Sequence, residues 1–438
     1  MTLLDLTPRA TVTDRLAALP VIIIGAGPIG LAAAAHLAER GIDFVVLEAG
    51  DGPAASIQLW GHTRLFSPWR HLIDPASRRL LDADGWMPPA DLDRAPTGSE
   101  LVEAYLAPLA ALGALRSRIR YGTRVVAVAR EGMDRTRTAG REKTPFVVRV
   151  ETADGWIDEL AGRAVIDGSG TYTTPNPLSS SGLDPIGSAE VAGRIVHALP
   201  DVLGADRARF AGRHTTVVGA GHSAANTLIA LAELAEHEPG TRVTWLIRNA
   251  SAVRVSSSAD DELADRARLG SRVDRLVASG AVDKLDSFEI ARVSARGDGI
   301  LLIGTRGGEA AMHESDLVVN ATGFRPDLAM LREVRLALDD VVEAPVRLAP
   351  LIDPNVHSCG TVAPHGFDEL RHPEPGFFVV GMKSYGRAPT FLLATGYEQV
   401  RSVVAWLDGD MRAATEVQLT LPATGVCSTD LGGGSCCS

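Results

Sequence analysis

Ten residues constrain this chain more than any others: Val21–Gly30, VIIIGAGPIG. An apolar run, Val21–Ile24, is followed at once by Gly25-Ala26-Gly27-Pro28-Ile29-Gly30 and then by the small-residue stretch Leu31–Glu39. That order predicts a strand, a tight turn and a helix. In such a turn the first glycine permits the bend, the second lets backbone approach a pyrophosphate, and the third lets the helix pack on the strand. The helix start then presents unpaired N–H groups and a favourable dipole to phosphate. A second strand is expected over Ile42–Leu47, ending in Glu48, whose carboxylate can accept from a ribose diol. A glycine-rich turn alone says little. With its strand, helix and terminal acid it predicts a dinucleotide-binding βαβ unit.

The pattern returns later. Thr215–Val218 is followed by Gly219-Ala220-Gly221-His222-Ser223-Ala224, a helix to about His237, and a strand over Arg242–Ile247. Ala224 stands at the third glycine position, where a methyl group is tolerated. The acid position is replaced by Arg248, followed by Asn249. Glu48 would repel a 2′-phosphate, whereas a guanidinium can pair with one. The first unit is therefore expected to hold FAD or NAD, and the second to prefer NADPH. The plainer alternative is that Arg248 is a solvated surface charge.

At 438 residues the chain has room for two or three domains. Its formal net charge of −11 offers no broad basic field for nucleic acid or anionic membranes. No apolar run approaches the roughly 20 residues that span a bilayer. The first 20 residues lack the apolar core of a secretory signal, so the cytoplasm is the expected location. Four cysteines, Cys359, Cys427, Cys436 and Cys437, form no disulfide framework and suit a reducing compartment.

Residues 1–20 read as a leading arm. Residues 49–100, rich in Gly, Pro and Trp, are expected to be loops and short helices wrapping a ligand; otherwise Trp60, Phe66 and Trp69 fill a satellite core. One helix is expected over Ser99–Leu115, a strand within Tyr121–Ala129, a meander of Phe146–Val150 and Trp156–Leu160, and a strand over Ala164–Ile166. Ala164–Ile166 ends in Asp167-Gly168-Ser169-Gly170, and Thr174-Pro175-Asn176-Pro177 reads as a crossing between domains. Ser258-x-x-Asp261 has capping-box spacing and opens a polar helix to about Ala278. Leu317–Val319 and Phe377–Val380 read as strands and Thr395–Leu407 as a helix. No packing pattern is legible after Asp410.

On these residues the chain resembles the two-dinucleotide flavoproteins, and within them the flavin-containing monooxygenases, over roughly residues 20–410. The segment Gly193-Arg194-Ile195-Val196-His197 is similar to the family signature F-x-G-x-x-x-H-x-x-x-Y. Gly193 and His197 match it, while Val191 replaces Phe and Asp201 replaces Tyr. Asn320-Ala321-Thr322-Gly323-Phe324 resembles the family's linker motif. The resemblance implies an α/β fold of two Rossmann-like domains, with the FAD domain (21–172 and 323–410) interrupted by an inserted NADPH domain (173–322). It places FAD against Gly25, Ala26, Gly27, Pro28, Ile29, Gly30, Glu48, Trp60, Val126, Gly381 and Met382. It places NADPH against Gly219, Gly221, His222, Ser223, Ala224, Arg248 and Asn249. Arg64, Ser67 and Trp69 are candidates for contact with the ring or the substrate. A small-molecule substrate and O₂ are the implied reaction partners.

Residues 411–438 read as a glycine-rich flexible tail holding Cys427, Cys436 and Cys437. Its vicinal pair resembles that of mercuric reductase, and three thiolates suit a soft metal or trivalent arsenic. Three readings follow. The first is a monooxygenase for a metalloid, an organoarsenical or a thiol-bound substrate. The second is a metalloid or disulfide reductase using the tail pair. The third is a flavin-based redox sensor whose tail binds a partner. A tail acting in trans would imply a homodimer.

Overall fold

The computed structural model describes residues 12–250, 264–353, 364–388 and 391–419. The tail cysteines, Cys359 and the Ser258–Asp261 spacing lie outside the described residues.

Val21–Ile24 is the middle of a five-stranded parallel sheet. The order is Phe377–Val379, Ala164–Asp167, Val21–Ile24, Phe44–Leu47, Ile119–Arg120. Val21 registers with Phe44 on one side and Ala164 on the other. Alternate residues of the central strand serve different cores, as the two-residue repeat of a strand requires. Val21 and Ile23 join Leu31, Leu37, Tyr105, Val400 and Val403 under the helices Pro28–Glu39 and Leu393–Leu407. Ile22 and Ile24 join Val128, Phe146 and Val148 of an antiparallel meander, Thr123–Arg130, Phe146–Thr152 and Ile157–Gly162. A sheet covered on both faces reads as an unbroken apolar run, which is why VIII shows no alternation.

The second half repeats the plan. Asp283–Leu285, Arg242–Leu246, His214–Val218, Leu317–Asn320 and Ile195–His197 form another parallel five-stranded sheet, in that order. Helices His222–His237 and Ala264–Ala278 belong to one side. The antiparallel strands Phe288–Arg296, Gly299–Arg306 and Glu309–Ser315 supply the core of the other.

Two crossings join the halves side by side. Pro175 and Phe324 form an antiparallel bridge. Asn176 N–H donates to Gly323 O at 2.9 Å, and Arg325 N–H donates to Thr174 O at 3.0 Å. Tyr172, His197 and Phe324 pack around this ribbon with centroids 4.9–5.4 Å apart, His197 and Phe324 stacked and Tyr172 tilted against both.

Two expectations need correction. Ser99–Leu115 is not one helix. It runs as a turn of α-helix (Gly98–Leu101), a π-helical stretch (Val102–Leu106) and another α-turn (Ala107–Ala111), then breaks at Leu112 before a last α-turn at Gly113–Arg116. Pro108 has no N–H for the Ala104 carbonyl four residues back, and Trp86 Nε1 donates to that oxygen instead, at 2.9 Å. Packing also continues past Asp410, whose side chain caps a short helix, Met411–Thr415. Ala414 is buried, Ser402 Oγ donates to its carbonyl at 2.6 Å, and Gln418 N–H donates to Glu398.

Candidate active site

The two glycine loops leave the carboxyl ends of the two parallel sheets, where open α/β sheets bind ligands. Gly25 has φ +96°, and a Cβ there would stand 3.0 Å from Gly168 O. A Cβ on Gly30 would stand 1.9 Å from Gly25 O, so the third glycine is dictated by packing. A Cβ on Gly27 would meet nothing within 4 Å. This glycine caps the Pro28–Glu39 helix without any side-chain hydrogen bond, and Pro28 occupies the first turn. The second loop behaves alike. Gly219 (φ +136°) is pressed against Ala321 O, Gly221 faces open space and caps its helix without a side chain, and Ala224 is buried. Two long helices thus present uncapped N–H groups beneath a glycine with room above it, which is the arrangement a pyrophosphate requires.

Glu48 ends the second strand. Its two oxygens accept from Ala26 N–H at 2.7 Å and Gly50 N–H at 2.8 Å, and each keeps a lone pair for a ribose hydroxyl. Across the first loop, the Gly381 turn (φ +69°) comes so close that a Cβ there would be 3.0 Å from Ile29. Gly381 N–H donates to Gln399, and Met382 is half-buried beside it. Val126 sits at an irregularity of its strand, skipped between Val125, opposite Val150, and Ala127, opposite Arg149. Trp60 is half-buried, and its ring would lie 3.0 Å from a Cβ on Gly98.

The 49–100 stretch reaches the second loop. Phe66 packs on His222, ring centroids 5.0 Å apart. Ser67 is half-buried next to it, and exposed Arg64 donates to Ala95 O at 2.6 Å. Trp69 is 1% exposed, and its Nε1 has no partner among the described residues. Its indole belongs to the same core as Leu72 and Tyr105 rather than to an open wall. Ser223 is half-buried in the second loop. Arg248 and Asn249 are exposed at the end of their strand, and Asn249 O accepts from Ser287 N–H.

One constellation escaped the sequence. Lys383 Nζ, 2% exposed, lies 2.7 Å from Asp167 Oδ2 and 3.1 Å from Ser169 Oγ. Both segments read as strand ends, but only the pairing of Phe377–Val379 with Ala164–Asp167 brings them together.

Among the described residues no group of three or more His, Cys, Asp or Glu could hold a metal ion, and no helix is long and apolar enough to cross a membrane.

Two facing dinucleotide units define a flavoprotein fold in which one nucleotide exchanges electrons with another. The family model for pyridine nucleotide-disulphide oxidoreductases matches residues 22–347. The chain belongs to that family and is an FAD- and NAD(P)H-dependent oxidoreductase. No curated protein sequence matches it. Among solved structures it is similar to the bacillithiol disulfide reductase Bdr (YpdA) from Bacillus cereus. That match has a TM-score of 0.66 at 20% identity over 90% of this chain and 99% of that one. It is similar to the FAD-bound cadaverine monooxygenase DfoA from Erwinia amylovora, with a TM-score of 0.64 at 16% identity over 94% and 99%. It is also similar to the flavin-containing monooxygenase from Stenotrophomonas maltophilia, with a TM-score of 0.59 at 23% identity over 90% and 98%.

Proposed function

We propose that the chain is an NADPH-dependent flavin monooxygenase whose first glycine loop holds FAD and whose second holds NADPH. Its substrate is a small soft metalloid or an organoarsenical presented by Cys427, Cys436 and Cys437. The observation that carries the reading is the absence of any cysteine from residues 1–358. A dithiol relay next to the flavin has no supplier in the first helix or the second unit, which leaves the tail as its one possible source and favours direct transfer from the flavin to an acceptor. The chemistry that FAD would supply when bound is acceptance of a hydride from the nicotinamide and onward donation of electrons. The chain's own residues bind and orient. Gly27 and Gly221 admit the two pyrophosphates, Glu48 takes the adenosine ribose, and Arg248 pairs with a 2′-phosphate. Phe66 against His222 holds the stretch after the first βαβ unit to the second loop. In this reading the protein works in the cytoplasm, as a homodimer if the tail of one chain serves the other.

The test is stoichiometric. Oxygen uptake, NADPH oxidation and product are measured with and without arsenite, in the full chain and in a chain ending at residue 419. Oxygen consumed one-for-one with NADPH and product, only in the full chain, is expected. NADPH oxidation that proceeds without oxygen when arsenate or a disulfide is supplied as acceptor, with no oxygen-dependent product from arsenite, would sink oxygenation and favour the second reading, a metalloid or disulfide reductase using Cys436 and Cys437. That reading is supported by the family's disulphide chemistry and the vicinal pair. Equal activity of the shortened chain would reject a role for the tail.

A further inference from the structure

Ser169 is exposed at the carboxyl end of the Ala164–Asp167 strand, in contact with the first glycine loop: a Cβ on Gly25 would lie 3.1 Å from its Cα. Beneath it, Asp167 (0% exposed) and Lys383 (2% exposed) form a buried pair. The hydroxyl has one proton and two lone pairs, and its neighbours fix how these are used. Asp167 Oδ1, 2.7 Å away, can only accept, so it takes the proton of Ser169 Oγ. Lys383 Nζ, 3.1 Å away, can only donate, so it takes one lone pair. Ser169 N–H also donates to Asp167 Oδ1 at 3.1 Å. What remains on the exposed Ser169 hydroxyl is a single acceptor site.

A fixed acceptor receives a hydroxyl and repels a phosphate oxygen. Sheet order says which hydroxyl. Glu48 follows the strand on one side of Val21–Ile24, and Ser169 follows the strand on the other. A dinucleotide whose pyrophosphate lies over the Gly25–Gly30 loop, with its adenosine at Glu48, extends its other half towards Ser169. We infer that Asp167, Ser169 and Lys383 form a cofactor-positioning site that accepts a ribityl hydroxyl of FAD. Lys383 and Asp167 act through Ser169 and do not themselves touch the cofactor. This rests on the reading that the first loop holds FAD.

The experiment measures equilibrium binding of FAD and of ADP, which carries only the adenosine half, to the apoprotein. Ser169→Ala should weaken FAD about tenfold and leave ADP unchanged, and Ser169→Thr, which keeps the hydroxyl, should restore FAD binding. A Ser169→Ala protein that binds FAD as tightly as the parent overturns the inference, as does one that loses FAD and ADP equally. Gly27→Asp is the separate control. If it retains FAD, the reading of the first loop fails, whatever Ser169 does.

Discussion

Phe66 and His222 tie the first half of the chain to the second nucleotide loop: a side chain from the irregular stretch after the first βαβ unit rests on the residue that follows Gly221, ring centroids 5.0 Å apart at an angle of 58°. An aromatic pair of this kind contributes about 0.5–1.5 kcal/mol beyond the area it buries. If it positions the second loop for transfer, Phe66→Ala should slow anaerobic reduction of bound flavin by NADPH roughly two- to tenfold, with FAD content unchanged. Rapid-mixing measurements of flavin bleaching would show this. An unaltered rate would remove Phe66 from the transfer geometry.

The glycines of the first loop should separate by role. Gly30→Ala places a methyl carbon 1.9 Å from Gly25 O, backbone that cannot yield. It should cost about 3 kcal/mol or more of stability. Gly27→Ala meets nothing within 4 Å, so its melting temperature without cofactor should match the parent's while FAD affinity falls at least about tenfold. Thermal melts of apoprotein beside FAD titrations distinguish the two. Equal melting for both variants would contradict the packing described.

Arg248 is exposed, and among the described residues it has no ion-pair partner. A charge-assisted contact to a 2′-phosphate is worth about 1.5–3 kcal/mol. Arg248→Ala should therefore lower kcat/KM for NADPH by roughly 10- to 100-fold and leave that for NADH within about twofold. Steady-state comparison of both donors decides it, and an unchanged preference would return Arg248 to the status of a surface charge.

Acid should weaken the fold through His372. Burial pushes this imidazole down to about 4, and its Nδ1 accepts from Ala337 N–H while its Nε2 is buried without a partner among the described residues. Between pH 6.5 and 4 the unfolded chain binds the proton that the folded chain refuses, so stability rises with pH across that window. It is fully present above about 6.5 and lost as the pH falls towards 4. Urea titrations of the FAD-loaded protein should show His372→Leu losing about 2 kcal/mol less than the parent over this range. Parallel curves would exclude His372 as the source.

Lys383 and Asp167 are buried together, so removing one leaves a charge without its counter-ion. Lys383→Met should cost about 3–5 kcal/mol, and the pair Lys383→Met with Asp167→Leu should cost less than Lys383→Met alone. Denaturant midpoints for the two single variants and the double variant test this. Simple additivity would mean the two side chains are not coupled.

What the sequence made legible was local. VIIIGAGPIG and VVGAGHSA announce themselves because glycine spacing, strand and helix are contiguous, and both loops stand where expected, although the first helix starts at Pro28 rather than Leu31. The strands Phe288–Ser315 went unread. Gly299 and Gly304 dilute their alternation, and a register shift between Ile290 and Arg292 breaks its phase. The Ser99–Leu115 apolar spacing suits a helix, yet Pro108 at its centre forces a wider turn. Lys383 with Asp167 could not be found at all by spacing. Their 216-residue separation closes only when the sheet order is known.

The ribbon at Pro175 and Phe324 makes the middle of this chain a cassette. Because departure and return lie side by side, roughly 150 residues can be cut out and the ends rejoined without stretching the remaining sheet. On the proposed reading, in which the first loop holds FAD and the second NADPH, the outer unit should then carry its nucleotide by itself, and a different electron-donor module should be acceptable at the same seam. On that reading, electron source and chemistry would be separately replaceable parts.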